Sequence, residues 1–124
     1  MGGMNLERKV QEIEKLSRDF QECQKLFTAL GHETRQYLLC VLLGCDCGGS
    51  RVIELAKKTH LSRPAISHHM QILKDAKIVK ARKEGTCIYY YLDPNKHEIE
   101  KMIQLFSTIK KLTENAPDRS KRDE

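Results

Sequence analysis

Arg63, Ser67, Gln71 and Lys74 follow one another at intervals of four, four and three residues, with His68 beside them. That spacing places them on one face of a helix. Hydroxyl and amide groups of this kind pair with base edges, while guanidinium and ammonium groups meet guanine or phosphate. They lie within a basic segment. From Arg51 to Lys83 there are nine Lys or Arg and two acids, Glu54 and Asp75. The segment therefore carries a formal +7 in a chain of net +5, leaving −2 for the remainder. A second grouping is Cys45-Asp46-Cys47 in a glycine-rich loop. Thiolates one residue apart can grip a soft metal, with Asp46 or a distant thiol such as Cys23 completing the shell. Two ligands alone are not a site.

Positioning the first group requires a rigid helix. Ser62 can cap one that runs to Ala76, with Pro64 in the first turn, where its missing N–H is harmless. Ile66, Met70 and Leu73, flanked by Ile72 and Ala76, form the opposite, buried stripe. Ahead of it, Ser50 caps a short helix to about Lys58 that buries Val52, Leu55 and Ala56, and Glu54 suits its positive end. Thr59-His60-Leu61 is the turn between the two. Behind it, Ile78 to Lys83 and Cys87 to Leu92 flank Glu84-Gly85-Thr86 and read as a β-hairpin. At least one of Tyr89, Tyr90 and Tyr91 should enter the core.

The rest of the chain is helical. Apolar residues at Leu6, Val10, Ile13, Leu16, Phe20, Cys23, Leu26, Phe27 and Leu30 mark one amphipathic helix, which Gly31 ends. Glu33 to Leu43 is a second, and Lys96 to Thr113, with Ile99, Met102, Ile103, Phe106, Ile109 and Leu112, is the last. The fold class is mainly α with a small β-hairpin: a winged helix-turn-helix, four helices, the hairpin, then a fifth helix. Residues 1–114 form one domain, and 115–124 read as a disordered tail.

This order implies a duplex as partner. A helix fits the major groove, and a basic hairpin beside it flanks the groove and neutralises phosphates. Arg63, Ser67, His68 and Gln71 would face bases, with Ser62 at the mouth of the same helix. Lys57, Lys58, Lys74, Arg82 and Lys83 would hold phosphates. Double-stranded DNA is favoured over RNA because no aromatic stacking platform accompanies the charge. The bland alternative is an ordinary solvated polar stripe, which explains neither the turn spacing nor the basic hairpin.

Bulk properties agree. At 124 residues, 40% apolar and 31% charged, with seven aromatics and no Trp, the chain builds a thin core and would gain from dimerisation. The longest apolar run, Tyr37 to Leu43, is far short of the roughly 20 residues that span a bilayer. The N-terminus has no signal-peptide pattern, so the expected location is the cytoplasm, with no membrane partner. Five cysteines in that setting are expected to be reduced, with Cys40 and Cys87 packed as small buried hydrophobes. His68 and His69 diverge by about 100° on a helix, so one should face DNA and the other the core.

Three stretches together resemble the arsenic-repressor-like winged-helix regulators. They are Ala29-Leu30-Gly31-His32-Glu33-Thr34-Arg35, then Leu61-Ser62-Arg63-Pro64-Ala65-Ile66-Ser67-His68-His69-Met70, then Lys83-Glu84-Gly85 leading into Tyr89-Tyr90. The resemblance covers roughly residues 27–112. It implies a homodimer paired through the first and last helices, and repression from a palindromic operator released by a metal, redox or other small signal. The chain departs from the family's best-known sensors. Arg51-Val52-Ile53-Glu54-Leu55 has no thiol where arsenic and cadmium sensors carry Cys-x-Cys. Asp93 and His97 find no ligand pair further along the last helix, as a zinc sensor would need. Cys40 matches a redox-active position, yet no Cys follows Cys87 to pair with it. Lys77 stands where members usually have Gly. No cofactor or catalytic residue is assigned, and a thiol-bound metal stays open.

Two other classes remain at this point. A thiol-based redox or metal-handling protein would use Cys45 and Cys47, but the sequence shows no partner base and no Lys or Arg beside them. A winged helix serving only as a protein-docking module would need an exposed apolar patch in place of the basic one.

Overall fold

The computed structural model describes residues 6–45, 49–114 and 116–120. Its elements are α1 (Leu6–Glu22), α2 (Gln24–Leu30), α3 (Glu33–Leu43), β1 (Ser50–Arg51), α4 (Val52–Thr59), α5 (Arg63–Asp75), β2 (Val79–Glu84), β3 (Cys87–Leu92) and α6 (His97–Thr113). The winged helix-turn-helix expected from the sequence is present, with three departures.

The first departure is a break at Cys23 in what the periodicity presents as one helix. Cys23 has φ −95° and ψ 6°, and the Phe20 carbonyl accepts from the Cys23 N–H at 3.2 Å and from Gln24 Nε2 at 3.2 Å. A side-chain amide thus shares the carbonyl that the regular ladder uses. The kink separates two roles. α2 buries Leu26 and Ala29 in the core, whereas α1 buries nothing and packs along α6.

The second departure concerns Ser50. It does not cap α4 but lies in β1, opposite Tyr90, and Arg51 opposite Tyr89 stands at the cap position without a side-chain bond. The hairpin is therefore a three-stranded antiparallel sheet in the order β1-β3-β2. Gly49 explains the entry to β1. Its φ is +100°, and a Cβ there would stand 3.1 Å from the Tyr90 carbonyl oxygen. Gly85, at φ +60°, turns β2 into β3 with nothing near it.

Third, Cys40 is exposed rather than buried. α3 turns Arg35, Leu38 and Leu42 inward, which leaves Tyr37, Cys40 and Leu43 on the outer side. Among the described cysteines the buried one is Cys23, and Cys87 is half-buried.

The core is a cluster of Leu26, Leu38, Leu42, Leu55, Ile66, Met70, Leu73, Ile78, Val79 and Tyr90, with Ala29 and Ala76 between elements. Every element from α2 to β3 contributes except β1. Lys77, at φ 61°, is left-handed where the chain leaves α5, a strain of about 1 kcal/mol for a residue with a Cβ. No helix among the described residues is long and apolar enough to cross a membrane.

Candidate nucleic-acid interface

α5 is fixed at its start and along one side. Ser62 is extended (φ −69°, ψ 154°) and its hydroxyl accepts from the Ala65 N–H at 3.3 Å. Ile66, Met70 and Leu73 are fully buried. The entry turn is built by Thr59, whose hydroxyl donates to the Leu55 carbonyl at 2.6 Å and accepts from the Leu61 N–H at 3.3 Å. His60 completes it in the left-handed region at φ 59°. With the inner stripe locked, the outer stripe has one orientation. Ser62, Arg63, Ser67, His68, Gln71 and Lys74 are all exposed along it.

The flanking cations divide between two elements. Lys57 and Lys58 are exposed in the last turn of α4, and Lys83 is exposed on β2. Arg82 is half-buried. Its Nε donates to Glu84 Oε1 at 2.9 Å and its guanidinium lies 4.9 Å from the Tyr89 ring centroid, which holds it against the wing.

Several side chains have partners that the sequence does not show. Gln71 Nε2 donates to Asp75 Oδ1 at 2.9 Å, which orients the amide. Burial pushes the Tyr90 phenol's pKa up, and the Ser67 side chain of α5 partly offsets this. Lys58 Nζ donates to Cys45 Sγ at 3.3 Å, and that thiol donates to the Val41 carbonyl at 3.1 Å. A cation does therefore stand beside a thiol, contrary to the sequence reading, because α3 and α4 pack against each other. His68 is exposed and His69 points inward, as their divergence requires.

Arg51 was missed. Its Nε donates to Glu54 Oε1 at 3.1 Å. With Arg63, Thr86, Cys87 and Ile88 it lines a 280 Å³ cleft between the wing and the start of α5. Only the unexpected strand β1 brings it there. No residue spacing marks it in advance.

Asp46 and Cys47 of the candidate thiol pair lie outside the described residues. Among the described residues no three of His, Cys, Asp or Glu gather as a metal shell would require.

Comparisons with known proteins agree with this architecture. Residues 32–81 match the family model of the bacterial regulatory protein, arsR family. An uncharacterized HTH-type transcriptional regulator of Methanocaldococcus jannaschii is 39% identical over 85 residues, 68% of this chain and 93% of that protein. The transcriptional activator HlyU of Vibrio cholerae is 33% identical over 100 residues, 81% of this chain and 85% of that one. A solved ArsR family transcriptional regulator shares the fold with a TM-score of 0.66, at 23% identity, over 78% of this chain and 95% of its own. The chain belongs to the arsR family of bacterial regulatory proteins. It is a DNA-binding transcriptional regulator and not an enzyme.

Proposed function

We propose that the chain acts as a homodimeric repressor, with α5 in the major groove of each half of a palindromic operator and the β2–β3 wing along the flanking backbone. The observation that carries this reading is the open polar face of α5, locked outward by the burial of Ile66, Met70 and Leu73. Gln71 commits one N–H to Asp75, and its remaining N–H and carbonyl oxygen match the edge of adenine. Arg63 would reach guanine or phosphate, and Lys57, Lys58, Lys74, Arg82 and Lys83 would hold phosphates. Arg51 joins them from the cleft beside Arg63. Dimerisation is supported by Leu6, Val10 and Ile13 on α1 and Ile99, Ile103 and Phe106 on α6, apolar side chains left exposed on two helices that pack together. A bound dimer excludes polymerase from the same DNA, so repression requires no further surface. The activating relative makes activation the competing output.

The releasing signal is proposed to be a thiol reagent or oxidant that reaches the DNA face through Cys45. That sulfur accepts a hydrogen bond from Lys58, so blocking it would remove the contact that positions this phosphate-binding cation.

The test separates base reading from phosphate holding. Gln71→Ala should alter which sequences are selected from a randomised library and cost about 1–3 kcal/mol on the preferred site. Lys83→Ala should weaken all duplexes alike and reduce the salt slope by about one. Equal losses on preferred and random DNA for both variants would contradict the assignment.

A further inference from the structure

Arg35 is a buried cation with no acid bonded to it. From α3 its Nε donates to the Ala29 carbonyl at 2.8 Å and its Nη2 to the Thr28 carbonyl at 2.9 Å. Gln36 Nε2 reaches the Leu30 carbonyl at 2.8 Å. The open carbonyls at the end of α2 are thus closed by side chains of α3, and the negative end of the α2 dipole faces the guanidinium. The third arm, Nη1, lies 3.2 Å from Nδ1 of His69 on α5. Three elements therefore meet at one side chain, and one of them is the helix proposed to read DNA.

The chemistry of this contact fixes a protonation state. A guanidinium has only donors, so Nδ1 of His69 must accept and its proton must sit on Nε2. A doubly protonated imidazole has no acceptor to offer. The surroundings also oppose a second proton. The His32 ring lies 5.0 Å away and its Nδ1 accepts from the Thr34 N–H at the start of α3, while the His68 ring lies 5.5 Å away. Burial first, then His32, Arg35 and His68, lower the His69 pKa below its ordinary 6.5. No carboxylate is among the groups acting on it. The charged residues along the α2 side of α5, Lys25 and Asp75, line a separate cleft with Ile72, and Asp75 is six residues further along the helix.

We propose that Arg35 and His69 form a proton-sensitive latch that positions α5 against the α2–α3 corner, closed while His69 is neutral and opened by its protonation at the expense of sequence-specific DNA binding. This rests on α5 being the helix that reads DNA. The sign follows from a lowered histidine pKa. The latch contributes fully above 6.5 and its contribution is lost as pH falls through the lower folded value. His68 is exposed on the proposed DNA face, so only the ratio of specific to non-specific affinity isolates the latch.

The experiment measures that ratio with the full chain between pH 7.5 and 5.0. The probes are a duplex selected from a randomised library by the wild type at pH 7.5 and a scrambled duplex. The wild-type ratio should fall severalfold across this range as His69 takes up its proton. His69→Asn, whose Oδ1 accepts from Arg35 without titrating, should hold the ratio constant. A constant wild-type ratio, or an equal fall in His69→Asn, overturns the proposal. Nitrogen NMR of the imidazoles in the DNA-free wild type gives an independent arm. It should show His69 as the Nε2–H tautomer titrating below the ordinary histidine value of 6.5, and an Nδ1–H tautomer would refute the latch. If no duplex is selected while the NMR signature holds, the fault lies with the DNA reading and not with the latch.

Discussion

The double variant Ile13→Glu/Ile103→Glu is expected to stay folded and to sediment as a 14.3 kDa monomer, against the twofold mass expected of the wild type as the proposed dimer. Ile13 is 49% exposed on α1 and Ile103 60% exposed on α6. α1 contributes nothing to the core cluster, so its 17 residues bury no side chain within their own chain. An isolated helix of about that length is marginal in water. A second copy laid against α1 and α6 supplies the missing cover. In a symmetric dimer the two substitutions strip four isoleucines from the contact. Each is already about half covered within the monomer, so the dimer contributes about half of the 1.5–3 kcal/mol of full burial. The loss is roughly 3–6 kcal/mol, enough to raise a dimer dissociation constant by about a hundredfold or more. The core should be untouched, so circular dichroism and thermal unfolding of α2 to β3 should change little. Affinity for a two-half-site duplex should fall at least about a hundredfold, because one half-site's contacts are then lost. A wild type that sediments at 14.3 kDa, or a variant that still dimerises, would remove α1 and α6 as the interface.

Met70→Ala should produce the second largest effect, on stability. Met70 is fully buried among Leu26, Leu38, Leu55 and Leu73 and sits midway along α5, so truncation leaves a cavity the helix backbone cannot close. The expected loss is about 2–5 kcal/mol. A domain of this size holds only about 6–15 kcal/mol in total. Denaturant unfolding should show a lower midpoint at unchanged slope, and DNA binding should be retained in the cold and lost near 37 °C. A loss under about 1 kcal/mol would mean that α5 does not pack on this side, and with it would go the orientation of the polar face.

How far such a site is legible in sequence depends on whether its signal is local. The α5 call from Ser62, Pro64 and the Ile66-Met70-Leu73 stripe needed only capping chemistry and a helical period, and the structure reproduces both. The Glu33–Leu43 helix was equally visible, but its seven-residue apolar run from Tyr37 to Leu43 names no inner side. The outward turn of Cys40 became evident only once Arg35, Leu38 and Leu42 were seen to share the core. A two-residue strand carries no period at all. Ser50 is a strand residue because Tyr90 is opposite it, and without that partner it looks like a helix cap. The same limit hid the placement of Arg51 opposite Tyr89 and the Arg35–His69 contact, which join elements 38 and 34 residues apart. The break at Cys23 is a subtler case. The apolar spacing runs unbroken through it, and what changes is where each half packs.

Photo-crosslinking from position 71 tests the central arrangement most directly. With p-benzoylphenylalanine in place of Gln71 and a selected duplex bound, illumination should join the protein to a base within the half-site. The same probe at Ile103 should crosslink to a second copy of the chain and not to DNA. Crosslinks from position 71 that reach only protein would show the hydrophilic side of α5 closed off from the duplex, and the regulator's reading face would have to lie elsewhere.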